Sequence, residues 1–223
     1  MSDDTTLPFA SAAAPLAARI RQRKQPIQAR SRATVAILQE AAIQVLRRDG
    51  YAALTTTAVA ARAGVSVGTL YQYYPDKASL ITALKARYFE GMLEAVRTAL
   101  AATPPPAPPA ARLRAGLAAL LRFKADSLDL AVGLRPAFDD VAAAGHLEAV
   151  LAPFARLLQT ALTDRQPASP DLAWRAGLLT ATLERAVTHT VWTAPERLAD
   201  PATLDALCAM ASGLLDSSPR AAD

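Results

Sequence analysis

The chain has 223 residues, 52% of them hydrophobic but only 5% aromatic, which suits one large domain or two smaller ones with cores of Ala, Leu and Val. Its single cysteine, Cys208, excludes an internal disulfide framework and a cysteine-rich zinc site. The net charge of +4 conceals an asymmetry: residues 1–88 hold twelve Lys and Arg against five Asp and Glu, whereas residues 89–223 hold twelve against fifteen. Ala and Leu are strong helix formers and strand-type runs are scarce, so the composition argues for an all-α protein. A basic first third on a mildly acidic remainder points to a polyanion partner for that third alone. No apolar run reaches the roughly 18–20 residues that a membrane span needs. The apolar stretch "LPFASAAAPLAA" follows Asp3 and Asp4, where a signal peptide would be positive, and the chain is read as cytoplasmic.

Residues 1–30 lack a helical period, contain Pro8, Pro15 and Pro26, and end in the basic run "ARIRQRKQPIQAR". This predicts a disordered arm. Beside a DNA-binding unit such an arm reaches along the backbone or into the minor groove, and the alternative is a solvated tail.

From Arg32 the pattern turns helical. Leu38, Ala41, Ala42 and Val45 share one face, and Gly50 is placed to end the helix after Arg47 and Arg48. Thr55 is an N-cap for a short helix that Gly64 ends. Ser66 caps the next helix, which runs to about Tyr74 and stops before Pro75. Asp76 caps a long helix from Lys77 to about Leu100. "TPPPAPP", residues 103–109, is a stiff connection. Alanine- and leucine-rich helices follow at roughly 110–126, 134–144, 146–164, 171–193 and 201–216, giving about nine helices in all.

Two short helices joined by a Gly-containing turn, after a longer one, form a helix-turn-helix plan, with the second of the pair entering the major groove. Projection of Ser66–Tyr74 at 100° per residue places Leu70 and Tyr74 in the core. Gly68, Thr69, Tyr71 and Gln72 fall on the outer face, flanked by Val67 and Tyr73. This face has no Lys, Arg or Glu. Gly68 costs about 0.5–1 kcal/mol of helix stability relative to Ala, and close approach of a DNA backbone accounts for that cost. Thr69, Tyr71 and Tyr73 can donate to phosphates, Gln72 can pair with adenine, Val67 can touch a thymine methyl, and Lys77 supplies a charge for phosphate.

These residues carry a resemblance. "LTTTAVAARAGVSVGTLYQYYPDKASLITAL" closely resembles the DNA-binding domain of the TetR family of bacterial transcriptional regulators over about residues 32–90. The resemblance implies an all-helical homodimer with an N-terminal three-helix DNA-binding domain (31–76) and a larger C-terminal helical ligand-binding and dimerisation domain (77–218). Helix 77–100 would connect them, and residues 219–223 form a tail. It implies phosphate contacts from Thr55, Thr56 and Lys77, and a recognition surface of Val67, Gly68, Thr69, Tyr71, Gln72 and Tyr73. Two positions depart from the pattern. Thr57 stands where some members have a base-reading arginine, and Tyr74 replaces the more usual Phe.

By the same resemblance, helices 171–193 and 201–216 form a four-helix bundle with a second subunit. Small residues such as Ala173, Ala176, Gly177, Thr180 and Ala181 permit it, and burial within one subunit is the alternative. A ligand site would draw on Phe123, Phe138, Phe154, Trp174 and Glu184, with Trp192 a further aromatic; each aromatic also serves as plain core. His146 and His189 have no partner at metal spacing, and no Ser/His/Asp set or phosphate loop is present. The resulting expectation is a non-enzymatic, ligand-responsive repressor without cofactor or metal. It would bind a near-palindromic double-stranded operator as a homodimer and be released by a largely apolar small molecule.

Overall fold

The computed structural model describes residues 29–139, 151–159 and 170–216. The basic arm before residue 29, His146 and the tail after residue 216 lie outside the described residues. All described regular structure is helical. The helices are α1 (Ala29–Ala53), α2 (Thr56–Ala63), α3 (Val67–Tyr73), α4 (Lys77–Ala101), α5 (Pro109–Asp126), α6 (Leu128–Asp139), α7 (151–159), α8 (Pro170–Thr193) and α9 (Pro201–Asp216). A short 3-10 turn, Pro195–Ala199, precedes α9.

The chain divides into two compact units, Met1–Lys85 with Pro136–Ala152, and Ala86–Arg135 with Pro153–Asp223. In the first unit, Leu38, Ala42, Leu54, Val59, Ala60, Leu70, Tyr74 and Leu80 are fully buried and join α1 through α4 in one core. Local chemistry sets the corners. Gly50 takes φ 80, a left-handed value that favours glycine, and bends the end of α1. Thr55 caps α2, its hydroxyl accepting from the Ala58 amide at 3.1 Å. Gly64, at φ 67, closes α2 by donating back to the carbonyls of Ala60 and Ala61. At α4, Asp76 accepts from the Ser79 amide at 2.7 Å while Ser79 Oγ accepts from the Asp76 amide at 3.3 Å, a reciprocal cap.

In the second unit, α8 buries a stripe of Leu172, Ala176, Leu179, Leu183, Val187 and Val191 at helical spacing. Leu113, Leu117 and Leu121 of α5, Leu198, and Leu207 and Ala211 of α9 complete the core. Arg175 points inward from α8, pairs with Asp171 at 2.8 Å and donates to the carbonyls of Leu214 and Leu215 at the end of α9. That cation satisfies carbonyls a helix terminus otherwise leaves open.

The start of α6 differs from the sequence reading. α6 begins at Leu128, not near 134, because only Ser127, at φ −111 and ψ 18, separates it from α5. Its amide bonds the Phe123 carbonyl at 3.0 Å, and its own carbonyl accepts from Ala131 at 2.9 Å. Pro136 lies inside this helix.

Candidate nucleic-acid interface

The interface residues sit on α2, α3 and the start of α4. Ser66 caps α3, accepting from the Thr69 amide at 3.0 Å, and its hydroxyl also meets that of Thr69 at 2.9 Å. The capped helix is fixed from beneath by Leu70 and Tyr74. Both are fully buried, and the Tyr74 hydroxyl accepts from Gln39 of α1 at 3.1 Å. Outward, α3 presents Gly68, Tyr71 and Gln72, all exposed, with Val67 and Thr69 half-buried at the edges. The Tyr71 ring is 42% exposed, and its hydroxyl lies 3.3 Å from that of Thr56 at the start of α2. Thr55, Thr56 and Tyr71 therefore bring three hydroxyls to the face where both helices begin.

A Cβ built on Gly68 would meet only Ser66 Oγ, at 3.7 Å, which is ordinary contact. Nothing inside the chain demands a glycine at this position. Without a side chain it leaves the outer surface of α3 low at this point.

Tyr73 is a correction. It was expected beside the outer face, yet only 7% of it is exposed and its hydroxyl lies 3.1 Å from Ser31 Oγ of α1. Tyr73 stands three residues after Leu70, so the two share the inward face. α1 begins at Ala29, earlier than Arg32, and that extra turn covers the ring.

Lys77 is in place but not free in solvent. Its ammonium donates to the Tyr51 carbonyl at 3.1 Å and lies 4.4 Å from the centre of the Tyr51 ring. A cation at a helix N-terminus opposes the helix dipole. Tyr51 offsets this and fixes the charge beside the first amides of α4. Tyr51 was not singled out from sequence, and its only signal is that it follows the helix-ending Gly50.

Among the ligand candidates, Phe123 of α5, Phe154 of α7 and Glu184 of α8 are half-buried. Phe138 belongs to α6, but its side chain lies outside the described residues. Trp174 is corrected: at 60% exposure it stands on the outer side of α8, opposite the stripe that contains Ala176 and Leu179. Trp192 is half-buried under Arg135, whose guanidinium carbon lies 4.9 Å from the ring. Among the described residues no group of three or more His, Cys, Asp or Glu is arranged to hold a metal, and no helix is long and apolar enough to cross a membrane.

Comparison with known proteins agrees with this geometry. The profile "Bacterial regulatory proteins, tetR family" matches residues 38–84, which span most of α1 through the first third of α4. The HTH-type transcriptional repressor KstR of Rhodococcus jostii (strain RHA1) is 32% identical over 136 residues, covering 60% of this chain and 62% of that one. KstR of Mycolicibacterium smegmatis is 43% identical over 51 residues, 23% of this chain and 25% of the relative. The matches thus span less than two thirds of these curated relatives' length. Among solved structures, a TetR-like transcriptional regulator from Rhodococcus sp. RHA1 superposes with a TM-score of 0.57 at 23% identity, covering 82% of this chain and 97% of that one. A TetR-family regulator from Streptomyces coelicolor gives 0.57 at 24% identity with the same coverage. The helix-turn-helix geometry and the profile match together identify residues 38–84 as a helix-turn-helix domain of the tetR family of bacterial regulatory proteins.

Proposed function

We propose that the chain is a homodimeric, ligand-responsive repressor that binds a near-palindromic operator through α3. The observation that carries this reading is the outer face of α3. A capped two-turn helix, locked to α1 by Leu70 and Tyr74, turns Gly68, Tyr71 and Gln72 to solvent beside the threonine hydroxyls of α2. In the major groove, Gln72 reads adenine, Val67 meets a thymine methyl, and the hydroxyls of Thr55, Thr56, Thr69 and Tyr71 donate to phosphates. Lys77 adds the fixed charge. The relatives named as repressors support the sign of regulation.

Residues 31–76 carry DNA binding and residues 77–218 carry the ligand and the dimer contact. The dimer forms on α8 and α9, where Ala173, Trp174, Leu178 and Ala181 face outward. A small, largely apolar molecule, held in the second unit by residues that include Phe123, Phe154 and Glu184, favours a dimer whose recognition helices no longer match adjacent major grooves. DNA and ligand then oppose each other reciprocally. The helix α4 links the two functions, since it begins at Lys77 and ends in the second unit. No catalytic step and no cofactor enters this cycle, which takes place in the cytoplasm.

The test is fluorescence anisotropy with DNA from upstream of the chain's own coding sequence, against random DNA, across a salt series. Preference for the upstream fragment is expected. Lys77→Ala is expected to weaken binding to both DNAs and to lower the slope of log K against log salt by about one. An unchanged slope removes Lys77 from the phosphate contacts, and equal binding of both DNAs by the wild type overturns the reading as a whole.

A further inference from the structure

The buried stripe of α5, Leu113, Leu117 and Leu121, continues at helical spacing into a lysine. Lys124 is only 8% exposed. Its ammonium lies 5.2 Å from the centre of the Tyr88 ring of α4, and Tyr88 packs against Phe123 at 5.4 Å and Phe89 at 5.6 Å between centroids. Gly91 lets this nest close: a Cβ there would stand 3.0 Å from the Phe123 ring. The acid that acts on Lys124 is Glu184 of α8, whose Oε1 accepts from Thr188 at 2.7 Å. Among the described residues no hydrogen bond reaches the Lys124 ammonium. Burial pulls its pKa from 10.5 down to about 8, with Glu184 opposing the fall.

A buried cation without an acceptor costs several kcal/mol, and a well-packed apolar residue of similar volume is commonly more stable in such a place. The stability of the fold therefore gives no reason for this lysine. An incoming anion does, because it would turn three open donors in a low-dielectric nest into charge-assisted bonds. We propose that Lys124 anchors the head group of the effector, and that the effector is an amphipathic monoanion: a carboxylate on Lys124 and a hydrocarbon body against the Tyr88 and Phe123 rings. The nearby Glu184 sets the charge. Lys124 is the single cation that a carboxylate would pair with, and the Glu184 carboxylate disfavours any further negative charge beside it. This deepens the ligand-response reading and rests on it only for the effect on DNA.

The probes are dodecanoate and dodecan-1-ol, below micellar concentration, titrated calorimetrically into the full chain. At pH 7 the acid is expected to bind at least tenfold more tightly than the alcohol. Above pH 8 that advantage shrinks as Lys124 loses its proton. The other titratable groups facing it are Glu184 of α8 and the Tyr88 phenol of α4, which burial pushes above its ordinary value. Lys124→Met is expected to stay folded and to bind acid and alcohol alike. Failure of the acid to bind, equal binding of both probes by the wild type, or a preference for the acid retained by Lys124→Met overturns the assignment. The pH series on the wild type decides the matter should the variant not fold: an advantage that persists undiminished at pH 9 overturns it as well. If the acid binds through Lys124 yet leaves DNA affinity unchanged, the site stands and ligand-driven release is what fails.

Discussion

Gly68 separates the needs of the fold from those of the partner. A methyl group at this position would touch Ser66 Oγ at an ordinary 3.7 Å and otherwise meet open space. Gly68→Ala should therefore stabilise α3, by about 0.5–1 kcal/mol in urea denaturation, because alanine loses less backbone entropy in a helix. The same methyl stands on the exposed face and should lower operator affinity. A variant that gains stability and binds DNA as tightly as the wild type would show that this face never approaches a backbone. The neighbouring tyrosines divide the same way. Tyr71 is exposed and lies near Thr56, whereas Tyr73 and Tyr74 bury their rings and reach Ser31 and Gln39 with their hydroxyls. The residue pattern assigned Tyr74 inward and Tyr71 outward. Tyr73 sits at the edge of both faces, and what decided its place was the early start of α1, which no local pattern around residue 73 records.

At the scale of elements, caps were the most legible feature. Thr55, Gly64, Ser66 and Asp76 all stand where the sequence puts helix ends, because short polar side chains and glycine satisfy terminal backbone groups that nothing else nearby can. The α3 helix depends on this more than the long helices do. With seven residues it cannot sustain itself by its own hydrogen bonds. Ser66→Ala removes both the acceptor for the Thr69 amide and the contact with the Thr69 hydroxyl. It should cost about 1 kcal/mol in urea denaturation, with Ser66→Asp restoring most of the loss. Equal stability of all three proteins would mean that the tertiary core alone shapes α3. Legibility fell in the second unit for a physical reason. Alanine- and leucine-rich periodicity marks which side of a helix is apolar but not what lies against it, so Trp174 passed for a pocket residue. Lys124 was legible and overlooked: it falls on the same i, i+4, i+3 stripe as Leu117 and Leu121, where a lysine is out of character.

For the whole molecule, the exposed side of α8 bears on how the chain assembles. Trp174 is 60% exposed and Leu178, one turn further on, is 39% exposed, with the exposed small residues Ala173 and Ala181 on the same helix. A tryptophan carries roughly 150–250 Å² of burial potential, so an uncovered one on a flat run of small residues is a strong anchor for a partner. In a two-fold dimer the same patch serves both subunits, and each side chain counts twice. At about 25 cal/mol per Å², some 150 Å² of newly buried ring is worth about 4 kcal/mol per copy before association costs. Even half of the doubled figure amounts to roughly a thousandfold in dissociation constant. Trp174→Glu should therefore shift the chain to monomer at micromolar concentration in sedimentation velocity, whereas Trp174→Phe should remain largely dimeric. Because Trp174 points away from the core stripe of α8, both variants should keep wild-type helix content by circular dichroism. The glutamate variant should also lose affinity for a full operator far more than for an isolated half-site, since only a dimer can engage two adjacent major grooves at once. A Trp174→Glu protein that sediments as a dimer would place the contact elsewhere and return this tryptophan to an ordinary exposed position.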